Sequence, residues 1–229
     1  MISASVSNIE LFRDWSASED CPYCGGNGCS ACDNQGYRDA EWLLKRLRGE
    51  EPESQQMKAG SALHSFLENA NPDTDAYTLE GEFEGSYYRF DFNCDCQIVW
   101  QPMRELSVEK EYGGLLVRGR VDGINGKRIT DYKTTSRFDP EHLFEGVQWR
   151  FYLDMMAADE FQWVVFVLKE FGAPGCYEIN QVHDLRQHRY PGLHESCAAI
   201  AKAYEAFVSA LPPERWQRKS LLQQPPAAA

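Results

Sequence analysis

Long apolar runs and a secretion signal are both absent from this sequence of 229 residues. No segment approaches the roughly 18 to 20 consecutive apolar residues that a membrane helix needs, and residues 1–10 lack the basic-then-apolar order of a signal peptide. We therefore expect a cytoplasmic protein with no membrane partner. The composition, 43% hydrophobic and 25% charged, excludes collagen-like and wholly disordered chains.

Basic charge is scarce. The chain has 23 Lys and Arg residues against 35 Asp and Glu residues, which gives a net charge of -12. A nucleic acid is attracted by basic surfaces, so the total charge argues against such a partner. Residues 116–150 are the exception, with 7 basic against 5 acidic residues. This local excess is compatible with DNA contact at one face of the protein.

Half of the eight cysteines form two CxxC pairs in the segment CPYCGGNGCSAC. Disulfides are rare in the cytosol, and paired thiolates at this spacing suit tetrahedral zinc. The segment resembles the CxxCxGxG zinc modules of DnaJ-type chaperones. We therefore expect Zn2+ at this cluster, with an iron-sulfur cluster as the alternative. The proposed ligands are Cys21, Cys24, Cys29 and Cys32.

Apolar periodicity predicts an α/β fold with a mixed central sheet flanked by helices. The predicted helices cover 39–48, 55–69, 139–158 and 194–210, and the predicted strands cover 87–92, 106–112, 115–124, 128–134, 161–168 and 175–182. Asn125-Gly126 is a strong hairpin signal. We expect three parts: an N-terminal segment with the metal module (1–38), a catalytic core (39–212) and a flexible tail (213–229).

The most informative segment is RGRVDGINGKRITDYKTT, residues 118–135. Alternation along a strand places Asp131 and Lys133 on one face, and the hairpin brings Asp122 to the adjacent strand. Two carboxylates at this distance suit a hard cation such as Mg2+ or Mn2+. A neighbouring lysine can stabilise the charge that develops on a phosphate. These residue types together indicate phosphodiester hydrolysis.

The same residues resemble the D...(D/E)xK core of the PD-(D/E)xK nuclease superfamily, in the form found in RecB-like nucleases. Two further motifs extend the resemblance. GSALHSFLE, residues 60–68, is similar to the upstream helical motif with an active-site histidine, and QWRFY, residues 148–152, is similar to the QxxxY helix motif. The family proline before the first aspartate is replaced by Val121. The resemblance implies a restriction-endonuclease-like core with a small N-terminal metal-binding module.

The resemblance also implies a role for each matching residue. The metal ligands would be His64, Asp122, Asp131 and the main-chain carbonyl of Tyr132. The catalytic lysine that positions the attacking water would be Lys133. The residues that hold the site and contact DNA would be Gln148 and Tyr152. Further candidates for outer roles are Glu68 and Glu111.

These motifs together predict a Mg2+- or Mn2+-dependent deoxyribonuclease, with exonuclease action in DNA recombination, repair or phage DNA processing. Its partners would be DNA and a protein of a recombination or repair complex, in a bacterial or phage-infected cell. Two alternatives come from other classes. In the first alternative, the chain is a catalytically inactive nucleic-acid or protein-binding module that works through the zinc cluster. In the second, it is a zinc-dependent regulator whose acidic first half binds a basic protein.

Overall fold

A computed structural model describes residues 2–17, 20, 26–28, 35–50, 53–69, 78–94 and 101–211. The four clustered cysteines and the predicted tail lie outside these residues. The described helices include none that is long and apolar enough to cross a membrane. The strands are β1 (Ile2–Ser5), β2 (Thr78–Phe83), β3 (Ser86–Phe92), β4 (Met103–Tyr112), β5 (Leu115–Asn125), β6 (Arg128–Thr135), β7 (Glu160–Glu170) and β8 (Cys176–His188). The helices are α1 (Val6–Ala17), α2 (Ala40–Leu47), α3 (Gln55–Asn69), α4 (Pro140–Glu145), α5 (Gln148–Met155) and α6 (Leu193–Ser209).

The strands form one mixed sheet in the order β1-β5-β6-β7-β8-β3-β2, with β4 also paired to β5. The β6–β7 and β3–β8 pairs are parallel, whereas β5–β6 and β7–β8 are antiparallel. Residues 161–166 of β7 are all buried, as expected for a central strand covered on both faces. The predicted α/β fold with a mixed central sheet is confirmed.

Apolar residues form two clusters. The larger one contains α1, α2, α5, α6 and the β5 and β7 side chains that face them. The smaller one lies between α3 and the sheet formed by β3, β6, β7 and β8. The motifs singled out from the sequence lie on α3, α5 and the middle strands β5 and β6 of the sheet.

The first 17 residues contain structure that the polar composition of this segment did not predict. β1 pairs in parallel with β5, with Ile2 opposite Leu115. α1 follows at once, and Val6, Ile9 and Phe12 are buried in the larger cluster. Their spacing of three residues places them on one helix face. The N-terminal residues are thus part of the main sheet and core.

The predicted single helix over residues 139–158 is wrong, because the structure contains two helices with a break between them. Asp139 caps α4 by accepting the His142 amide, as the sequence suggested. The backbone of Gly146 then leaves the helical region, with a ψ of 159°. A Cβ at this position would lie 2.5 Å from Glu10 Oε1. The break therefore lies beside the Glu10 side chain of α1, and local sequence signals do not reveal it.

Candidate active site

The site begins where β5 and β6 separate. The two strands pair from Asn125–Arg128 to Gly123–Thr130, and the pairing stops there. Beyond this point the amide of Tyr132 donates its hydrogen bond to the Asp122 carboxylate, at 2.7 Å, rather than to a main-chain carbonyl. The Asp122 side chain therefore fills the fork between the strands. The Asn-Gly hairpin fixes the register that puts it there.

Helix α3 brings His64 to this fork. His64 Nδ1 lies 3.5 Å from Asp122 Oδ2, and the His64 ring makes an edge contact with the Tyr132 ring. The helix can approach β6 closely because it has a glycine one turn earlier. A Cβ on Gly60 would lie only 2.6 Å from Thr134 Oγ1. Gly60 and His64 are four residues apart, so they lie on the same helix face.

Lys133 lies between two polar partners. Its Nζ is 3.0 Å from Asp131 Oδ2 and donates to Gln148 Oε1 at 2.9 Å. The Gln148 amide in turn donates to Asp131 Oδ1 at 3.4 Å. The lysine, the carboxylate and the amide therefore form a closed triangle. This arrangement limits the rotamers of a side chain that would otherwise be flexible.

Tyr152 ties α5 to β5, one helical turn after Gln148. Its hydroxyl donates to the main-chain carbonyl of Arg120 at 2.9 Å. The ring lies directly over β5, since a Cβ on Gly119 would be 2.4 Å from Tyr152 Cε1. Tyr152 therefore fixes the strand two residues before Asp122. Its observed contacts are to protein atoms and are consistent with a role in holding the site.

The electrostatics of the fork are dominated by burial and by the two aspartates. Burial, followed by repulsion from Asp131, raises the pKa of Asp122 to about 7. Burial lowers the pKa of His64, which favours the neutral imidazole. Burial alone would lower the pKa of Lys133, but Asp131 and Asp122 outweigh it and raise that pKa. The site therefore combines a protonated lysine with excess negative charge.

Two residues near the fork were missed by the sequence reasoning. Glu105 lines the same groove as His64 and Asp122, and it forms an ion pair with Arg120 at 2.7 Å. Its backbone has a φ of 53°, which is uncommon for a residue other than glycine. Arg104 donates to the main-chain carbonyl of Glu68 at 2.8 Å and so ties the end of α3 to β4. Neither residue belongs to a motif that local sequence patterns mark.

The structure thus brings together the side chains of six predicted site residues: His64, Asp122, Asp131, Lys133, Gln148 and Tyr152. Glu68 is exposed at the rim of the groove. Glu111 is also exposed, but it lies opposite Leu116, six residues along β5 from Asp122. It is therefore about 20 Å from the fork. A role for Glu111 in this site is not supported by that position.

The donor set has the chemistry that a divalent cation needs. Asp131 Oδ2 is buried and accepts no hydrogen bond in the described part of the chain, although Lys133 lies beside it. Asp122 accepts the Tyr132 amide, and burial, followed by repulsion from Asp131, raises its pKa. The described residues hold no group of three or more His, Cys, Asp or Glu side chains already arranged as metal ligands. The two carboxylates nevertheless fit Mg2+ or Mn2+, which prefer oxygen ligands.

Two solved structures are similar to this chain at low sequence identity. A comparison with the curated proteins gave no match. Among solved structures, the crystal structure of SSO0001 is similar at 14% identity and a TM-score of 0.43, covering 93% of this chain and 78% of that one. A second, described as a "Putative exonuclease" from Eubacterium rectale, has 10% identity and a TM-score of 0.48, covering 90% of this chain and 79% of that one.

The family comparison is more specific than either structural similarity. Residues 95–219 match the family model of the PD-(D/E)XK nuclease superfamily. That stretch contains β5, β6 and α5, which supply the aspartates, the lysine and the glutamine of the fork. The mixed sheet with flanking helices agrees with a restriction-endonuclease-like core. Because the match covers more than half of the sequence, this chain belongs to the PD-(D/E)XK nuclease superfamily.

Proposed function

We propose that this nuclease is a Mg2+- or Mn2+-dependent deoxyribonuclease that acts as an exonuclease. The observation that carries the proposal is the position of Lys133. It is held by Asp131 and Gln148 beside the fork that contains Asp122 and His64. A fixed lysine next to two carboxylates and an imidazole suits metal-assisted phosphodiester hydrolysis.

Each residue has a defined task in this proposal. His64, Asp122 and Asp131 hold the cation, with the Tyr132 carbonyl as a further ligand. The cation, when bound, supplies Lewis-acid chemistry at the scissile phosphate. Lys133 orients the attacking water and stabilises the negative charge that develops on the phosphate oxygens. Gln148 and Tyr152 hold Lys133 and β5 in place and face the DNA.

DNA specificity and exonuclease action are supported by the resemblance of the motifs to RecB-like nucleases. The local basic excess of residues 116–150 is compatible with binding a polyanion at this face. Recombination, repair or phage DNA processing, together with a protein partner from such a complex, is proposed on the same resemblance. The proposed location of the protein is the cytoplasm.

The test is digestion of end-labelled linear duplex, single-stranded and closed circular DNA with Mg2+ or Mn2+. The variant is Asp131→Ala, and Asp91→Ala on β3 is the matched control, since Asp91 pairs with Arg89 away from the fork. We expect linear DNA to shorten only with metal and intact Asp131, with circular DNA left uncut. Cleavage of circular DNA would contradict the exonuclease mode. Failure to cut any substrate would contradict the nuclease function and favour a binding module.

We further propose that Cys21, Cys24, Cys29 and Cys32 hold zinc. These residues lie outside the described part of the chain, but residues on both sides of them are described. Asp20 and Tyr37 form an antiparallel bridge, so the ends of the cysteine segment meet. Anaerobic purification followed by metal analysis and visible absorption tests this proposal. Colourless protein with one zinc per chain is the expected result, and a visible band would indicate the iron-sulfur alternative.

A further inference from the structure

A half-buried acid on α1 contacts the beginning of α5. The Glu10 carboxylate accepts the main-chain amides of Val147, at 2.8 Å, and Gln148, at 2.5 Å. Glu10 and Gln148 are 138 positions apart in sequence. The residue before α5 makes no side-chain capping bond of its own. The first turn of α5 is therefore capped by a side chain from α1, near the beginning of the sequence.

The surroundings of Glu10 are shaped for this contact. A Cβ on Gly146 would lie 2.5 Å from Glu10 Oε1, so a side chain at this position would displace the Glu10 carboxylate. Burial, followed by the nearby charge of Asp14, raises the pKa of Glu10, and the two amides that it accepts oppose this effect. A carboxylate at a helix N-terminus interacts favourably with the helix dipole. Two main-chain hydrogen bonds therefore make Glu10 a specific cap of α5.

The contact reaches the catalytic lysine through one residue. Gln148 is held at its main-chain amide by Glu10, and its side chain binds both Lys133 and Asp131. Glu10 and Lys133 also line the same cavity of about 320 Å³. A displacement of the first turn of α5 would move the Gln148 side chain away from Lys133. Small misplacements of this kind reduce rates strongly.

We propose that Glu10 is a positioning residue for the catalytic lysine, because its carboxylate fixes the first turn of α5 and thereby holds the Gln148 amide against Lys133 and Asp131. The role of Lys133 in the reaction rests on the proposed function. The consequence is that α1 belongs to the catalytic apparatus and does not only fill the core.

The experiment is a double-mutant cycle with Glu10→Gln, Gln148→Ala and the combined variant, assayed on the substrate that the wild type cleaves. Both amides donate to Glu10 Oε2, so glutamine keeps the volume and an acceptor oxygen but removes the charge. Hydrogen bonds to an ionised acceptor are about twice as strong as neutral ones, so the cap is weakened. We expect kcat to fall about tenfold or more in Glu10→Gln with KM changed less than about twofold. In the Gln148→Ala background, Glu10→Gln should change kcat by less than about twofold. Equal loss in both backgrounds, or no loss in the single variant, would overturn the proposal.

A control variant separates positioning from general damage to helix capping. Asp39 caps α2 by accepting the Trp42 amide at 2.8 Å, and it is not part of the site. Asp39→Asn also removes a charge from a helix cap, and we expect this variant to keep the kcat of the wild type. If Glu10→Gln does not fold, Glu10→Asp, which keeps the charge on a shorter side chain, takes its place in the cycle with the same expected non-additivity.

A second measurement does not depend on activity. The side-chain amide signals of Gln148, assigned in 15N spectra by their loss in Gln148→Ala, report its contacts with Lys133 and Asp131. We expect these signals to shift in Glu10→Gln and to stay unchanged in Asp39→Asn. If the wild type cleaves nothing, the proposed function fails while this spectrum still tests the contact. If Glu10→Gln cleaves as the wild type does and the Gln148 signals do not shift in this variant, only the positioning role of Glu10 fails.

Discussion

The excess charge in the fork predicts that one active-site residue destabilises the protein when no metal is bound. Asp122 is 15% exposed and faces a second carboxylate, and its pKa is raised from the ordinary value of 3.8 to about 7. Substituting Asp122 by asparagine keeps an oxygen that can accept the Tyr132 amide and removes the charge. We therefore expect Asp122→Asn to be inactive but more stable than the wild type in EDTA.

The magnitude follows from the two pKa values. Each pKa unit corresponds to about 1.4 kcal/mol of differential stabilisation. Above pH 7 the aspartate is ionised in both states, and the folded state carries a cost of about 4 kcal/mol. Because the folded pKa is the higher one, wild-type stability falls as pH rises from about 4 to about 7. The cost is smaller at pH 5, by more than half.

Urea unfolding at pH 5 and pH 8 measures this difference. The advantage of Asp122→Asn over the wild type should be larger at pH 8 than at pH 5. Adding Mg2+ or Mn2+ should stabilise the wild type more than the variant, because the variant lacks one charged ligand. A variant that is less stable than the wild type at pH 8 in EDTA would refute the reasoning.

Asp154 provides a control, because its pKa is lowered and its charge stabilises the folded state. Burial opposes its ionisation, but hydrogen bonds from Lys110, His194 and Tyr112 outweigh that effect and lower its pKa to about 2. Its charge therefore stabilises the fold above pH 4, and this stabilisation is lost as pH falls towards 2. We expect Asp154→Asn to destabilise the protein at pH 8, with or without metal.

Four further substitutions test the packing of the site by urea unfolding and activity. Gly119→Ala should cost about 1 to 3 kcal/mol and reduce activity, because the new Cβ meets the Tyr152 ring; a neutral result would contradict the close packing. Gly60→Ala should cost a similar amount through its contact with Thr134, and Thr134→Ala should restore most of it. Arg104→Ala should cost about 1 to 2 kcal/mol and lower activity by loosening the end of α3; unchanged activity would count against that tie.

Sequence patterns predicted the elements whose signal is local. α3 was predicted with the bounds that it has, and the Asn125-Gly126 hairpin and the buried strand β7 were also predicted. These depend on helical spacing, on a turn dipeptide and on a continuous apolar run. α1 and the break at Gly146 were not predicted. Both depend on contacts between residues that are far apart in sequence, which periodicity does not report.

The candidate site shows the same division. Asp122, Asp131 and Lys133 share a short hairpin segment, so strand alternation was enough to suggest that they meet. Glu10 carries no such signal, since its spacing to Ile9 and Phe12 only marks it as a helix residue beside the core. Its position becomes visible only when α1 is seen against the amide groups of α5.

The parallel pairing of β1 with β5 affects the order in which the enzyme becomes active during synthesis. Residues 2–5 leave the ribosome before their partners at 115–118, which follow more than a hundred residues later. Glu10 must wait longer still for the amides of Val147 and Gln148. Contacts of such long range form late, because loop closure has to precede them. A nascent or prematurely terminated chain is therefore expected to lack a working nuclease site, and cellular nucleic acid is exposed only to the completed fold.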